Sequence, residues 1–245
     1  AESDATYLGA LTTFRAAAGS STDGAVYAHA AEVTSSISGR KYLRSALFAA
    51  APREMAVSDE VDTADVNLGP LAGVTIKDSL GSAKHHDESD TPGVDDVGFI
   101  TLRTWPDFAG VYVNRPRLFS AEGSDFALIP HRRVMNLARR VLRAYFVRRT
   151  SKPIEVSTAT GYMLESEAVE MELGSHRALA DALLAKPKAS GGGLAGGAFT
   201  QVSRVDNLLS TKTIHVTAKI VPLAYPETID IDLGFYNPAL LLSQV

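Results

Sequence analysis

The residues best suited to chemistry lie in one polar stretch, His85, His86, Asp87, Glu88 and Asp90. Imidazole and carboxylate side chains at this density could ligate zinc or a harder cation. Neighbouring residues on an extended segment point to opposite sides, however, and no second ligand cluster follows, so the stretch reads as a solvated loop. Gly191, Gly193 and Gly196 match G-x-G-x-x-G. They follow Lys, Pro and Ser rather than a strand, so the context of a dinucleotide site is missing. By composition, 186–198 reads as a mobile surface linker. No phosphate-binding G-x-x-x-x-G-K-[ST], H-E-x-x-H or G-x-S-x-G occurs, and no Ser/His/Asp spacing anchors catalysis. The chain reads as a non-enzyme without cofactor or metal.

A second kind of chemistry is offered by arginines. From Ile129 to Tyr145 the apolar residues Val134, Leu137, Ala138, Val141, Leu142 and Tyr145 repeat at helical spacing. Arg132, Arg133, Arg139, Arg140 and Arg143 lie mostly on the other side, with Arg148 and Arg149 at the end. Two readings follow. The first is a phosphate- or nucleic-acid-binding helix over 131–149. The second is a helix whose guanidinium groups meet carboxylates on the same chain or a neighbour. Glu155, Glu165, Glu167, Glu170 and Glu172 are available for it on the same chain, and Asp230 and Asp232 are further candidates for a subunit interface. A formal net charge of −4, no stacking aromatics and no helix-turn-helix context favour the second.

The elements that must position these groups combine both periodicities. Helical spacing covers Tyr7–Phe14, a stretch from Asp23 to about Ser36, Arg40–Ala50 ending at Pro52, and Glu165–Ala185 as one helix or two broken near Gly174. Strands are expected at 68–76, at Phe99–Trp105 and Gly110–Val113 around a turn at Pro106–Ala109, and at Pro153–Val156. Apolar residues then alternate strictly at Ile214, Val216, Ala218 and Ile220. After Pro222–Pro226 they alternate again at Ile229, Ile231, Leu233 and Phe235. Two such runs read as an antiparallel hairpin with one buried face, and Lys219 would face Asp230 across it. The expected class is α+β, a mixed sheet with a C-terminal antiparallel hairpin packed by amphipathic helices. Residues 1–56 are expected to form a helical N-terminal part and 57–245 the α+β core with hairpin and linking tail, either as two parts or as one domain overall.

With 245 residues, 45% hydrophobic and 21% charged, the chain can bury a sizeable core. It has no cysteine, so assembly must rest on burial and polar contacts alone. No run is apolar enough to span a bilayer as a helix, and no signal peptide is present. The chain begins with Ala1, which reads as a piece of something longer.

Several motifs carry a family likeness. They are GVYVNRPRLFSAEGSDF before a helix opening with HRRV, the Asp206-Asn207-Leu208-Leu209 turn, and IVPLAYPETIDIDLGF ending in Asn237-Pro238-Ala239. Over about Tyr42–Leu240 the chain resembles contractile tail sheath proteins of long-tailed phages, R-type bacteriocins and related injection systems. Most members of that family are longer. The resemblance implies a core domain whose sheet is completed by neighbouring subunits, helical assembly around an inner tube, and contraction that drives the tube through a target envelope. It implies neighbouring sheath subunits, the tail tube protein, and baseplate and tail terminator proteins as partners. Nucleic acid and stable membrane insertion are not implied. The place would be a virion tail or particle sheath, assembled in the bacterial host cytoplasm. The apolar tail with Leu240, Leu241 and Leu242 would then be buried by strand addition to a neighbour.

Overall fold

A computed structural model describes residues 4–28, 30–76, 93–121, 123–184, 193–226 and 229. Helix α1 (Asp4–Ala18) lays Phe14 against Phe99 and Phe119, ring centroids 6.2 and 6.3 Å apart. Arg15 ties the end of α1 to the Phe119 carbonyl at 3.1 Å, its guanidinium 3.8 Å from the Phe119 ring.

The region expected to be helical up to Ser36 is instead a strand, β1 (Ala30–Thr34), and the next expected helix begins as another, β2 (Lys41–Ser45). They pair antiparallel with Val33 opposite Tyr42. The turn between them explains the change. Gly39 holds φ at +65°, and Ser35 Oγ accepts from the backbone N–H groups of Ile37 and Ser38. Alanine content suggested helix, but this local turn and the cross-strand partners outweigh propensity. Helix α2 (Leu47–Ala56) follows and runs through Pro52 rather than stopping there. The proline ring lies on the exposed side, and the helix closes with the Val57 N–H on the Arg53 carbonyl.

The short strand β3 (Val74–Thr75) joins the free edge of β1, giving the order β2-β1-β3. Ala31, Ala46, Ala50, Ile100, Leu102 and Val113 are buried together beneath this sheet, so residues from both sides of position 56 share one core. Strands β4 (Leu102–Trp105) and β5 (Phe108–Val113) form the expected hairpin, with Asp107 at φ +64° in the turn.

Helix α3 (Ile129–Val147) and helix α4 (Glu165–Leu179), prolonged by a π-helical turn over Ala180–Leu184, pack with strand β6 (Gly197–Val202). Helix α4 does not break at Gly174. A Cβ there would collide with the Tyr145 hydroxyl of α3, so the glycine permits close helix contact. The short helix α5 (Leu208–Thr211) is capped by the Asn207 side chain, which accepts from the Ser210 N–H at 3.1 Å. Strand β7 (Val216–Val221) then pairs antiparallel with β6 in unbroken register, Val202 opposite Val216 and Ala198 opposite Ile220.

The glycine-rich linker is also corrected. Leu194, Ala195 and Ala198 are buried against Val134, Ala138, Leu179 and Leu183. At Gly193 a Cβ would lie 2.7 Å from the Leu183 carbonyl oxygen, and the Leu194 N–H bonds that same carbonyl. The described end of this run is core; residues 185–192 lie outside the described residues.

Candidate subunit-contact surface

Helix α3 begins with Pro130 in its first turn, where a missing N–H costs nothing. Its apolar stripe, Val134 and Ala138 foremost, faces the core. That placement turns the arginines outward, and they divide into two groups. Arg132 donates from Nε to Asp23 Oδ1 at 2.9 Å. Arg133 donates to the Val57 carbonyl at 2.7 Å and lies 3.3 Å from Asp59 and 3.5 Å from Glu54. Arg149 pairs with Glu170 at 2.9 Å. Arg139, Arg140, Arg143 and Arg148 are exposed and have no ion pair among the described residues.

Of the acidic residues expected opposite them, Glu170 meets Arg149, and Glu165 and Glu172 are placed differently. Glu165 accepts from Arg204 at 2.9 Å, and Arg204 also bonds Glu172 at 2.9 Å. Glu172 in turn accepts the Val202 N–H at 2.7 Å, pinning β6 to α4. Hydrogen bonds from Arg204 hold the Glu172 and Glu165 carboxyls below the usual carboxylate range. The same two partners raise the guanidinium pKa of Arg204. Sequence spacing gave no signal for Arg204, because its partners are distant along the chain. Glu167 sits half-buried in the first turn of α4. Asp230, Asp232, Leu240, Leu241 and Leu242 lie outside the described residues, as do the His85–Asp90 cluster and the second run of the expected hairpin beyond Ile229, which is itself exposed rather than on a buried face. Among the described residues Lys219 lies opposite Phe199 of β6.

Strand β7 shows the burial alternation its sequence requires: Val216, Ala218 and Ile220 are half-buried, and Thr217, Lys219 and Val221 exposed. One edge pairs with β6; among the described residues no strand pairs with the other. Between β7 and α3 runs a trough of about 570 Å³, with Val216, Ala218, Ile220 and Leu142 along it and Arg139 and Arg143 at its side. A second trough of about 680 Å³ shares Phe146 and Val216 with the first and continues past Thr150–Lys152 and Ile214. An apolar trough beside unpaired guanidinium groups suits a segment that alternates apolar and acidic residues.

Among the described residues no cluster of three or more His, Cys, Asp or Glu could hold a metal ion, and no helix is long and apolar enough to cross a membrane.

No protein-family profile matches the chain, and no curated protein matches it. Solved structures do. A chain of the anti-feeding prophage baseplate is 16% identical, with a TM-score of 0.59 over 90% of this chain and 57% of that one. A chain of the PVC sheath complex, from an extracellular contractile injection system in its contracted state, is 14% identical, with a TM-score of 0.61 over 93% and 60%. A chain of the contracted anti-feeding prophage helical sheath is 18% identical, with a TM-score of 0.56 over 89% and 57%. This chain therefore spans less than two thirds of the length of each. The α+β architecture from the β1–β3 sheet to the β6–β7 pair resembles the fold of a part of contractile injection-system sheath proteins.

Proposed function

We propose that this chain is a structural subunit of a contractile sheath, which assembles helically around an inner tube and contracts to drive that tube through a target envelope. The observation that carries this reading is the likeness to chains of two contracted sheath assemblies over 89% and 93% of the chain. The trough beside β7 supports the mode of assembly. The β7 edge, which pairs with no strand among the described residues, offers backbone hydrogen bonds, the trough floor is apolar, and Arg139 and Arg143 favour acidic residues in whatever strand fills it. The sequence Thr228–Leu233 (TIDIDL), with Asp230 and Asp232 between Ile229, Ile231 and Leu233, has this character, and so a neighbouring copy can supply the strand. Head-to-tail contact of this kind, repeated without closure, gives a helical tube. The partners are then neighbouring subunits, the tube protein, and baseplate and terminator proteins. The role is non-enzymatic, in a virion tail or particle sheath assembled in a bacterial host.

The test is negative-stain electron microscopy of the purified chain at high concentration, with sedimentation. Tubes or stacked rings are expected; a monomer at all concentrations would remove the basis for the reading. A phosphate-binding role for the free arginines of α3 predicts DNA affinity that falls steeply with salt. The sheath reading predicts no measurable DNA binding at physiological salt.

A further inference from the structure

Beyond β7 the chain takes an unusual path. Pro222 and Pro226 bar hydrogen-bonded strand at their own positions and restrict Val221 and Tyr225 to extended backbone. In the resulting strap burial alternates: Leu223 and Tyr225 are half-buried, while Pro222, Ala224 and Pro226 are exposed. The strap is held at two points. His131 Nε2 lies 2.8 Å from the Leu223 carbonyl oxygen. A carbonyl can only accept, so this nitrogen carries the proton. The Tyr225 hydroxyl donates to the Glu60 carbonyl at 2.5 Å, and the Tyr225 and His131 rings pack with centroids 5.4 Å apart. Burial, followed by the negative charges of Asp62 and Glu60, raises the Tyr225 hydroxyl to about 12.

Both anchors are firm. His131 sits in the first turn of α3, and the Glu60 loop is fixed by Arg133 through Asp59 and the Val57 carbonyl. Between the anchors the strap does not pack on a core. It borders a cavity of about 490 Å³, shared with Glu60, Val61, Asp62, Ala64 and Asp65. A segment with two polar anchors and little apolar burial opens at lower cost than the elements around it.

We infer that His131 and Tyr225 form a clasp that fixes the direction in which the chain leaves the β6–β7 sheet, and that it releases as a unit without unfolding α3 or β7. The residues after Pro226 then start from one fixed point while the clasp is closed. Only the consequence for assembly rests on the sheath reading: the clasp would decide whether the C-terminal segment is presented to a neighbour or freed. The clasp itself is a property of a single chain.

The chain has no cysteine, so spin labels can be placed at will. Cysteines at Ala224 and Arg140, both exposed, report the strap against α3; a second pair, at Thr217 and Arg140, reports β7 against α3. Distances are measured by double electron–electron resonance on the dispersed full chain. With the clasp intact, both pairs give one narrow distance distribution. Tyr225→Phe, which removes the hydroxyl bond to Glu60, and His131→Ala, which removes the bond to Leu223 and the ring contact with Tyr225, broaden the strap pair and leave the β7 pair narrow. A strap distribution that stays narrow in Tyr225→Phe and His131→Ala overturns the proposal, as does one already broad with the clasp intact. Simultaneous broadening of the β7 pair also overturns it, because the strap would then be part of the sheet. If His131→Ala fails to fold by circular dichroism, Tyr225→Phe alone decides. Because no assembly is required, failure here is separable from failure of the sheath reading.

Discussion

Individual residues show how much depends on partners distant in sequence. Arg204 joins Glu165 and Glu172, and Glu172 also accepts the Val202 N–H, so one guanidinium organises the junction of α4 and β6. Both carboxyls are held below their ordinary value by Arg204. A depressed folded-state value means stability that is present above the unfolded value, about 4.3 for Glu, and lost as pH falls through the folded one. The melting temperature should therefore hold from pH 7 to about 5 and decline below about 4.3 as this network protonates. Glu172→Gln should melt lower than the parent at pH 7, with the gap closing on acidification. A gap independent of pH would mean that the carboxylate charge is not what matters. Glu54 has the opposite sign. Burial raises its carboxyl, with Thr63 and Arg133 acting against the shift and Asp62 with it. Its contribution is full below about 4.3 and fades as pH rises through the elevated value, so Glu54→Gln should cost least near neutral pH.

At the level of elements, two glycines act against ordinary propensity. Alanine for glycine inside an exposed helix gains about 1 kcal/mol. At Gly174 the added methyl meets the Tyr145 hydroxyl, and overpacking typically costs about 1–3 kcal/mol. Gly174→Ala should consequently bring no gain and destabilise by up to about 2 kcal/mol in urea unfolding, the net of those two effects. Gain of stability would show that α3 and α4 can separate freely. The glycine-rich run gives a second outcome at this scale. Deleting residues 193–197 removes Leu194 and Ala195 from the core and shortens the lead into β6, and should abolish cooperative unfolding. A well-folded deletion variant would contradict the packing described here.

For the whole molecule, the proposed assembly would draw on Arg139, Arg140 and Arg143 of α3 and on the β7 edge, which have no ion-pair or strand partner among the described residues. Reversing Arg139, Arg140 and Arg143 to Glu together should leave the circular dichroism spectrum and melting temperature nearly unchanged, since exposed charges without partners shift stability by about 0.5 kcal/mol or less. Sedimentation should show the loss of large assemblies. Equal damage to folding and assembly would count against a surface role. Truncation after Pro238 should similarly give a folded chain that no longer forms tubes under the electron microscope, and normal tubes from it would rule out a linking role for Ala239–Val245.

What the sequence determined by itself is local and periodic. The α3 stripe from Val134 to Leu142, the β4–β5 hairpin around Pro106–Ala109, and the alternation of Val216, Ala218 and Ile220 all appear as their spacing requires. Each is set by neighbours within a few residues, where period and turn chemistry are decisive. Family-like motifs in the same stretches pointed to the sheath fold that the structural likeness supports. Tertiary structure alone decided the rest. Residues 30–34 and 41–45 became strands because each supplies the other's backbone partners, which an alanine-rich sequence does not reveal. Glycines 174 and 193 were read as breaks or linkers, yet they mark close approach, since a missing Cβ has the same sequence signature in both cases. Which arginines of α3 have an ion-pair partner among the described residues followed only from where Asp23, Asp59 and Glu170 arrive in space. Ion pairing depends on distance between side chains, and the fold, rather than sequence separation, sets that distance.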